Sequence, residues 1–157
     1  DETEPGSLFG SEFTTEDQDT GKLDEYEINL LEETTESGRE VWKIETIPNA
    51  ERARKSRYSR SVLYVDKERF VELRIEMYDQ YGKEIKRMLG ARVELMNGIW
   101  VARSTTIMNL VTNRLSNMAF LEMHTGIDVP DEFLTQRTLT DAAFRETELE
   151  KLRAQID

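Results

Sequence analysis

The sequence contains no cysteine in its 157 residues. Disulfides, thiolate nucleophiles and cysteine-based zinc sites are therefore excluded. His124 is the single histidine, and a histidine base or metal ligand would need partner side chains that no second histidine or cysteine supplies. We interpret His124 as a structural residue at the end of a strand.

Catalytic motifs are lacking as well. No glycine-rich phosphate loop, nucleophile elbow or metal-spaced set of carboxylates occurs. The adjacent acids Glu16-Asp17 and Asp131-Glu132 are typical of solvated caps at loop or helix starts. We expect no enzymatic activity, no cofactor and no metal.

Positive charge is scarce, since 21 Lys and Arg stand against 32 Asp and Glu, for a net charge of −11. Such a chain repels phosphate backbones, so nucleic acid is not an expected partner. Apolar runs are short, and none approaches the roughly 18 to 20 residues of a membrane-spanning helix. No segment combines the basic, apolar and small-residue regions of a signal peptide.

The dominant pattern from residue 23 onward is a hydrophobic alternation of period two, which predicts β-strands. In the first strand, for example, Tyr26 and Ile28 share a face while Glu25 and Glu27 share the other. Seven strands are predicted at 23–33, 38–48, 58–66, 70–79, 83–96, 99–109 and 114–124.

The predicted connections are short and polar. Asn97-Gly98 is the strongest hairpin signal, and Gly90 allows a bulge or bend within the fifth strand. Only the link at 49–57 is longer, so the spacing leaves no room for the crossover helices of a parallel sheet. The sequence predicts a mainly β fold, an antiparallel meander, in three regions: an acidic N-terminal loop or arm at 1–22, the meander at 23–128, and a C-terminal turn and helix at 129–157.

Seven twisted strands curl, and one face of this curl is apolar. The sequence offers only one weak C-terminal helix to cover that face, and exposed apolar area costs roughly 25 cal/mol per Å². A packed core is the simpler interpretation of each residue, but the shortage of cover favours a cavity for an apolar ligand. The predicted ligand-binding residues are Tyr26, Ile28, Leu30, Trp42, Ile44, Leu73, Ile75, Met77, Trp100, Met118 and Phe120.

One basic cluster interrupts the acidic sequence. It is either a solvated loop or a docking point for an acidic partner or lipid head groups. Its predicted docking residues are Arg52, Arg54, Lys55 and Arg57.

Several runs in order resemble the outer-membrane lipoprotein-sorting proteins that have the fold of the lipoprotein carrier LolA. The resemblance extends from about residue 6 to residue 139. The matching runs are Gly10-Ser11-Glu12-Phe13-Thr14-Thr15-Glu16-Asp17, Val41-Trp42-Lys43-Ile44-Glu45 with Pro48, Tyr58-Ser59-Arg60 with Val65-Asp66-Lys67-Glu68, Tyr78-Asp79 with Gly82-Lys83, Met108-Asn109-Leu110-Val111-Thr112, and Pro130-Asp131-Glu132-Phe133-Leu134-Thr135 with Arg137 and Leu139.

This resemblance implies an unclosed β-barrel around an apolar pocket for lipid or lipoprotein acyl chains, in the periplasm of a Gram-negative bacterium. It also implies association with an RND-type exporter. Family members have a helix and several strands before the Gly-Ser run, so the meander would be about half of the barrel. A sensor or protein-interaction module on the same fold, without cargo, is the alternative.

Overall fold

The computed structural model describes residues 6–19 and 21–156. The chain divides into two compact units, the first ending at Phe120 and the second beginning at Leu121. The division into regions 1–22, 23–128 and 129–157 stays a prediction.

The first unit is built on one seven-stranded sheet whose strands follow chain order. Each strand is antiparallel to the next, and β1 and β7 form the two edges, so the sheet is not closed into a barrel. The predicted fold class is confirmed. The strands are β1 (Tyr26–Glu36), β2 (Arg39–Pro48), β3 (Arg60–Asp66), β4 (Glu72–Tyr78), β5 (Glu84–Met96), β6 (Ile99–Asn109) and β7 (Arg114–Ala119).

Several strand limits and the 49–57 link differ from the prediction, and β1, for example, ends at Glu36 instead of residue 33. Residues Leu23–Glu25 form a 3-10 turn, so β1 begins at Tyr26. The link at 49–57 contains a short helix, α2 (Ala50–Ala53), because the Asn49 side chain accepts hydrogen bonds from the backbone N–H groups of the first helical turn. β7 ends at Ala119, so His124 lies beyond the strand rather than at its end.

Strand register separates the side chains onto two faces, because directly paired residues point to the same side of a sheet. We name the side that carries Ile44 the cleft face and the side that carries Tyr64 the charged face. Two rows of paired residues cross the cleft face: Ile28, Thr46, Ser61, Met77, Lys86 and Asn109, and beside them Leu30, Ile44, Leu63, Ile75, Met88 and Ile107.

The charged face is closed by its own side chains. Val41, Val62 and Tyr64 form a buried cluster there. The Arg74 guanidinium lies 3.9 Å from the centre of the Tyr64 ring and also pairs with Glu36 at 3.2 Å. Long charged side chains cover apolar surface with their stems and keep their charges in water, so this face needs no further cover.

A β-bulge in β4 changes the side to which Leu73 points. Tyr64 pairs with Arg74 and Val65 pairs with Glu72, which leaves Leu73 as the extra residue. Leu73 packs against the buried cluster of the charged face, while Glu72 takes its place on the cleft face. Alternation alone assigned Leu73 to the apolar face because a bulge leaves no clear trace in hydrophobic periodicity.

Gly90 of β5 lies where two strands approach closely. A Cβ at this position would lie 2.5 Å from the Glu72 carbonyl oxygen. Glycine is required here by the short distance to β4. Gly90 itself stays in register with Thr105 of β6, so the structure places no bulge of β5 at this residue.

The second unit contains a 3-10 turn (Asp131–Leu134), α3 (Gln136–Thr140) and α4 (Ala142–Arg153). The final helix is thus confirmed, and its N-cap is Asp141, whose carboxylate accepts a hydrogen bond from the Phe144 N–H at 3.0 Å. The Arg137 guanidinium lies 4.1 Å from the Phe144 ring centre.

Candidate functional site

An open cleft of about 360 Å³ lies on the cleft face. Its floor is apolar and comes from strands β1 to β5, where residues of the two paired rows meet. The apolar lining residues are Leu23, Tyr26, Ile28, Ile44, Pro48, Leu63, Ile75, Met77 and Met88.

Five of the predicted ligand-binding residues line this cleft, namely Tyr26, Ile28, Ile44, Ile75 and Met77. The other six do not line it. Leu30 and Trp42 lie on the same face outside it, Leu73 packs on the charged face, and Met118 is paired with Thr105 at the far edge of the sheet. The ring centre of Trp100 lies 4.9 Å from the Arg69 guanidinium, and Phe120 follows the end of β7.

Another part of the cleft face is covered by an N-terminal arm, residues 7–19. This arm turns back on itself through the Ser7–Thr14 bridge and ends in a short helix, α1 (Thr15–Gln18). Glu12 ties the arm to β6 and β7, because its carboxylate accepts from Asn109 at 2.8 Å and its N–H donates to the Ser116 hydroxyl at 3.0 Å. The arm therefore lies over β5 to β7 and leaves the cleft over β1 to β5.

Asp17 of α1 belongs to the arm and also lines the cleft. Its carboxylate accepts hydrogen bonds from the Thr14 N–H and the Tyr58 hydroxyl, and it pairs with Lys86 of β5 at 2.7 Å. Burial and the nearby Asp17 charge raise the pKa of the Tyr58 phenol. Sequence reasoning missed this cluster, because its members are far apart in the chain and no motif joins them.

Arg52 belongs to the wall of the cleft. Its guanidinium pairs with Asp19 at 2.6 Å and lies 5.8 Å from the Tyr26 ring centre. The hydrogen bond from Arg52 lowers the pKa of Asp19. The side chain of Arg52 is only 14% exposed, so its charge is already satisfied within the protein.

The other predicted docking residues, Arg54, Lys55 and Arg57, are exposed on the segment around α2. In residues 6–19 and 21–156, none of these three side chains has an ion pair with a carboxylate. Arg57 donates its backbone N–H to the Glu16 carboxylate, and the residue itself is exposed.

Glu72 lies at the opposite end of the cleft from Asp17. Within the described ranges its carboxylate has no hydrogen-bond or ion-pair partner, although water reaches it through the open cleft. The surrounding protein partly desolvates this carboxyl group and raises its pKa. Glu72 is a site residue that alternation missed, because the bulge at Leu73 brings it into the cleft.

The described part of the chain contains no group of three or more His, Asp or Glu side chains arranged to hold a metal ion. Among those same residues, no helix is long and apolar enough to cross a bilayer.

Comparison with known proteins agrees with this architecture. A domain from Vibrio parahaemolyticus assigned to outer-membrane lipoprotein sorting is similar to the chain, with 25% identity and a TM-score of 0.76, over 86% of this chain and 57% of that one. A DUF1329 family protein from Desulfovibrio piger gives 21% identity and a TM-score of 0.81, over 88% of this chain and 57% of that one. A LolA superfamily protein from Nitrosomonas europaea gives 17% identity and a TM-score of 0.66, over 82% of this chain and 58% of that one.

The chain thus spans just under three fifths of the length of these solved structures. No protein with a curated description matches it. A family model with the description "-like: Uncharacterized protein" matches residues 2–141. The chain belongs to the family of that model, and its fold is the LolA-like fold that the lipoprotein-sorting domain and the LolA superfamily protein also have.

Proposed function

We propose that this protein is a non-enzymatic periplasmic carrier that holds the acyl chain of a lipid or lipoprotein in its cleft. The observation that supports this most directly is the contrast between the two faces of the sheet. The charged face is closed by ion pairs over a buried cluster, whereas the cleft face leaves apolar side chains in water. The similarity to a lipoprotein-sorting domain agrees with a cargo of this kind.

The dimensions of the cleft suit such a cargo. A volume of about 360 Å³ lies within the range of roughly 300 to 1,000 Å³ of ligand sites in proteins. Each methylene group that leaves water for an apolar site gains about 0.8 kcal/mol. An acyl chain would therefore bind without any directional contact along most of its length.

The binding test uses two positions on β1 that are equally exposed. Ile28 lines the cleft and is 48% exposed, while Leu31 lies outside it and is 47% exposed. Native mass spectrometry of the purified protein should detect copurifying lipid. Ile28→Glu should remove most of this lipid, because a bound acyl chain would take the new carboxylate out of water without giving it a hydrogen-bond partner. Leu31→Glu carries the same charge and should retain the lipid.

The carrier proposal fails if wild-type protein purified from bacterial envelopes contains no lipid and takes up none from vesicles. It fails equally if Ile28→Glu and Leu31→Glu lose lipid to the same extent, because the effect would then come from charge or stability and not from the cleft.

Three basic residues around α2 have no ion pair among the residues that the structure describes, and they favour a second role for this end of the protein. We propose that Arg54, Lys55 and Arg57 dock the carrier on an acidic surface of an RND-type exporter. These side chains give a local positive charge to a protein whose net charge is −11, and they lie next to the cleft wall formed by Arg52.

Charge reversal separates docking from loading. Arg54→Glu with Arg57→Glu should abolish in-cell photocrosslinking from position 55 to the exporter while leaving the lipid content unchanged. Lys83→Glu with Arg92→Glu, both exposed positions elsewhere, makes the same change in net charge and should preserve crosslinking. Loss of lipid together with crosslinking in the first variant would indicate that these residues serve the cargo, and exporter docking would then be wrong.

A further inference from the structure

Glu72 differs from most of the other charged groups of the cleft in lacking a partner. Asp19 pairs with Arg52, Asp17 with Lys86, and the Glu16 carboxylate accepts from the Ser56 hydroxyl at 2.6 Å. Glu72 has no such contact in the described residues, and two of its neighbours in the cleft are apolar. Arg74 also lines the small cavity beside Glu72, but its guanidinium pairs with Glu36 and Glu76, both at 3.2 Å.

The apolar neighbours are Ile75 of the same strand and Met88 of β5, which are directly paired and both line the cleft beside Glu72. Lys22 also lacks an ion pair in the described residues and is exposed, as Glu72 is, but it lies in the loop before β1. Glu72 lies on β4 beside two residues of the cleft floor, and the surrounding protein partly desolvates its carboxyl group. Glu72 is therefore the charge that a cleft-filling ligand would remove from water.

The removal of that water carries a cost. A carboxylate that loses its hydration without gaining a donor is strongly destabilised, so an alkyl chain lying over Glu72 would bind poorly. A ligand that supplies a cationic donor at this position would avoid the cost and gain a charge-assisted hydrogen bond.

We infer that Glu72 determines the specificity of the cleft by selecting amphiphiles that carry an ammonium group. The inference rests on the proposed carrier function and names the chemistry of its ligand. The ammonium group pairs with the Glu72 carboxylate, and the attached chain lies along β4 over Ile75 toward Met77. Five residue steps at about 3.3 Å each set an upper limit of about 16.5 Å on this path, because the bulge at Leu73 shortens the strand.

Charge complementarity supports an ammonium group over an anionic head group. The far end of the path, at Asp17, has no unpaired charge to offer, because Lys86, Tyr58 and Thr14 already use that carboxylate. Only the Glu72 end of the path calls for a counter-charge.

The experiment compares three probes of equal chain length, dodecylamine, dodecanol and dodecanoate, by isothermal titration calorimetry below their micelle concentrations. Wild-type protein should bind dodecylamine most tightly and dodecanoate most weakly. Glu72→Gln should weaken dodecylamine binding about tenfold, the typical value of a hydrogen bond to a charged group, and should change dodecanol binding less than about twofold.

Glu40→Gln is the matched control. It removes the same charge from an exposed position on β2 outside the cleft, and its probe affinities should equal those of the wild type. If Glu40→Gln weakens the binding of dodecylamine as much as Glu72→Gln does, the general attraction of cations to this acidic protein explains the binding. The inference is then overturned.

The outcomes also separate this inference from the carrier function. Binding of all three probes with no preference for dodecylamine overturns the role of Glu72 and leaves an apolar carrier. Binding of none of the three overturns both.

Discussion

Lys86 of β5 and Asp17 of the N-terminal arm form a 2.7 Å ion pair whose side chains are 8% and 0% exposed. This contact joins two segments 69 residues apart and holds the arm over the sheet. It thereby decides how much of the cleft face is covered and how much is left for a ligand.

The first prediction concerns this pair. Lys86→Met leaves the Asp17 carboxylate buried without its counter-charge and should lower the free energy of unfolding by about 3 to 5 kcal/mol. Urea denaturation followed by circular dichroism measures the change. Lys83→Met, at an exposed position three residues earlier, should change stability by less than about 0.5 kcal/mol. A loss below about 1 kcal/mol for Lys86→Met would mean that the buried side chain of Phe13 and the hydrogen bonds of Glu12 hold the arm without this pair.

The second prediction concerns the ionisation of Tyr58. Because the folded protein raises the pKa of this phenol above the ordinary 10.0, the protonated form is favoured in the native state. The stability it contributes is complete below pH 10 and is lost as the pH rises further. In an ultraviolet titration, Tyr58 should therefore ionise only as the protein unfolds.

Tyr58→Phe identifies the signal. The wild type and this variant should give the same absorbance change up to the onset of alkaline unfolding and should differ by one tyrosine after it. A difference of one tyrosine before unfolding would show that the hydroxyl is free and not donated to Asp17.

The third prediction concerns acid stability and Asp66, which is buried on the charged face. Arg39 donates two hydrogen bonds to the Asp66 carboxylate, at 2.8 and 3.2 Å, and the N–H groups of Glu68 and Arg69 donate to it as well. These contacts lower its pKa from 3.8 to about 2. A depressed pKa stabilises the fold above the unfolded value, so this contribution is present above pH 3.8 and is lost as the pH falls toward 2.

A shift of this size corresponds to about 2 kcal/mol. Asp66→Asn should have a lower free energy of unfolding than the wild type at neutral pH. The difference between the two free energies, measured by urea denaturation, should narrow as the pH is lowered from 4 to 2. A difference that stays constant over that range would contradict the linkage.

The fourth prediction concerns Gly90. Gly90→Ala would place a methyl group 2.5 Å from the Glu72 carbonyl oxygen, so β4 and β5 must separate locally. Overpacking of this kind costs typically 1 to 3 kcal/mol, and the shift should also weaken ligand binding near Glu72. Gly6→Ala, where a Cβ would meet nothing within 4 Å, is the control and should be neutral. Equal stability of the two variants would mean that the strands adjust without cost.

Prediction from sequence succeeded where the signal was local. The strands alternate apolar and polar residues, and Asn97-Gly98 and Gly82 mark turns, so the meander and most strand limits followed directly. Ile28, Ile44, Ile75 and Met77 were assigned to one face because alternation is regular around each of them, in residues 26–30, 41–46 and 74–78.

The same reasoning failed at irregular positions. Leu73 was assigned to the cleft because a bulge shifts alternation by one residue without changing composition. Trp100 and Met118 lie on β6 and β7, whereas the cleft floor is formed by β1 to β5, and Phe120 follows the end of β7.

The sequence by itself determined the antiparallel order of the strands, since short polar turns between alternating segments permit no other connection. Only the tertiary structure decided which part of the cleft face remains open. The pairing of Asp17 with Lys86 and the burial of Val41 beneath charged side chains bring together residues that are distant in the chain. The position of Glu72 in the cleft depends on the bulge in β4. Contacts of that kind depend on the twist and register of the whole sheet, and a local pattern of residues does not encode them.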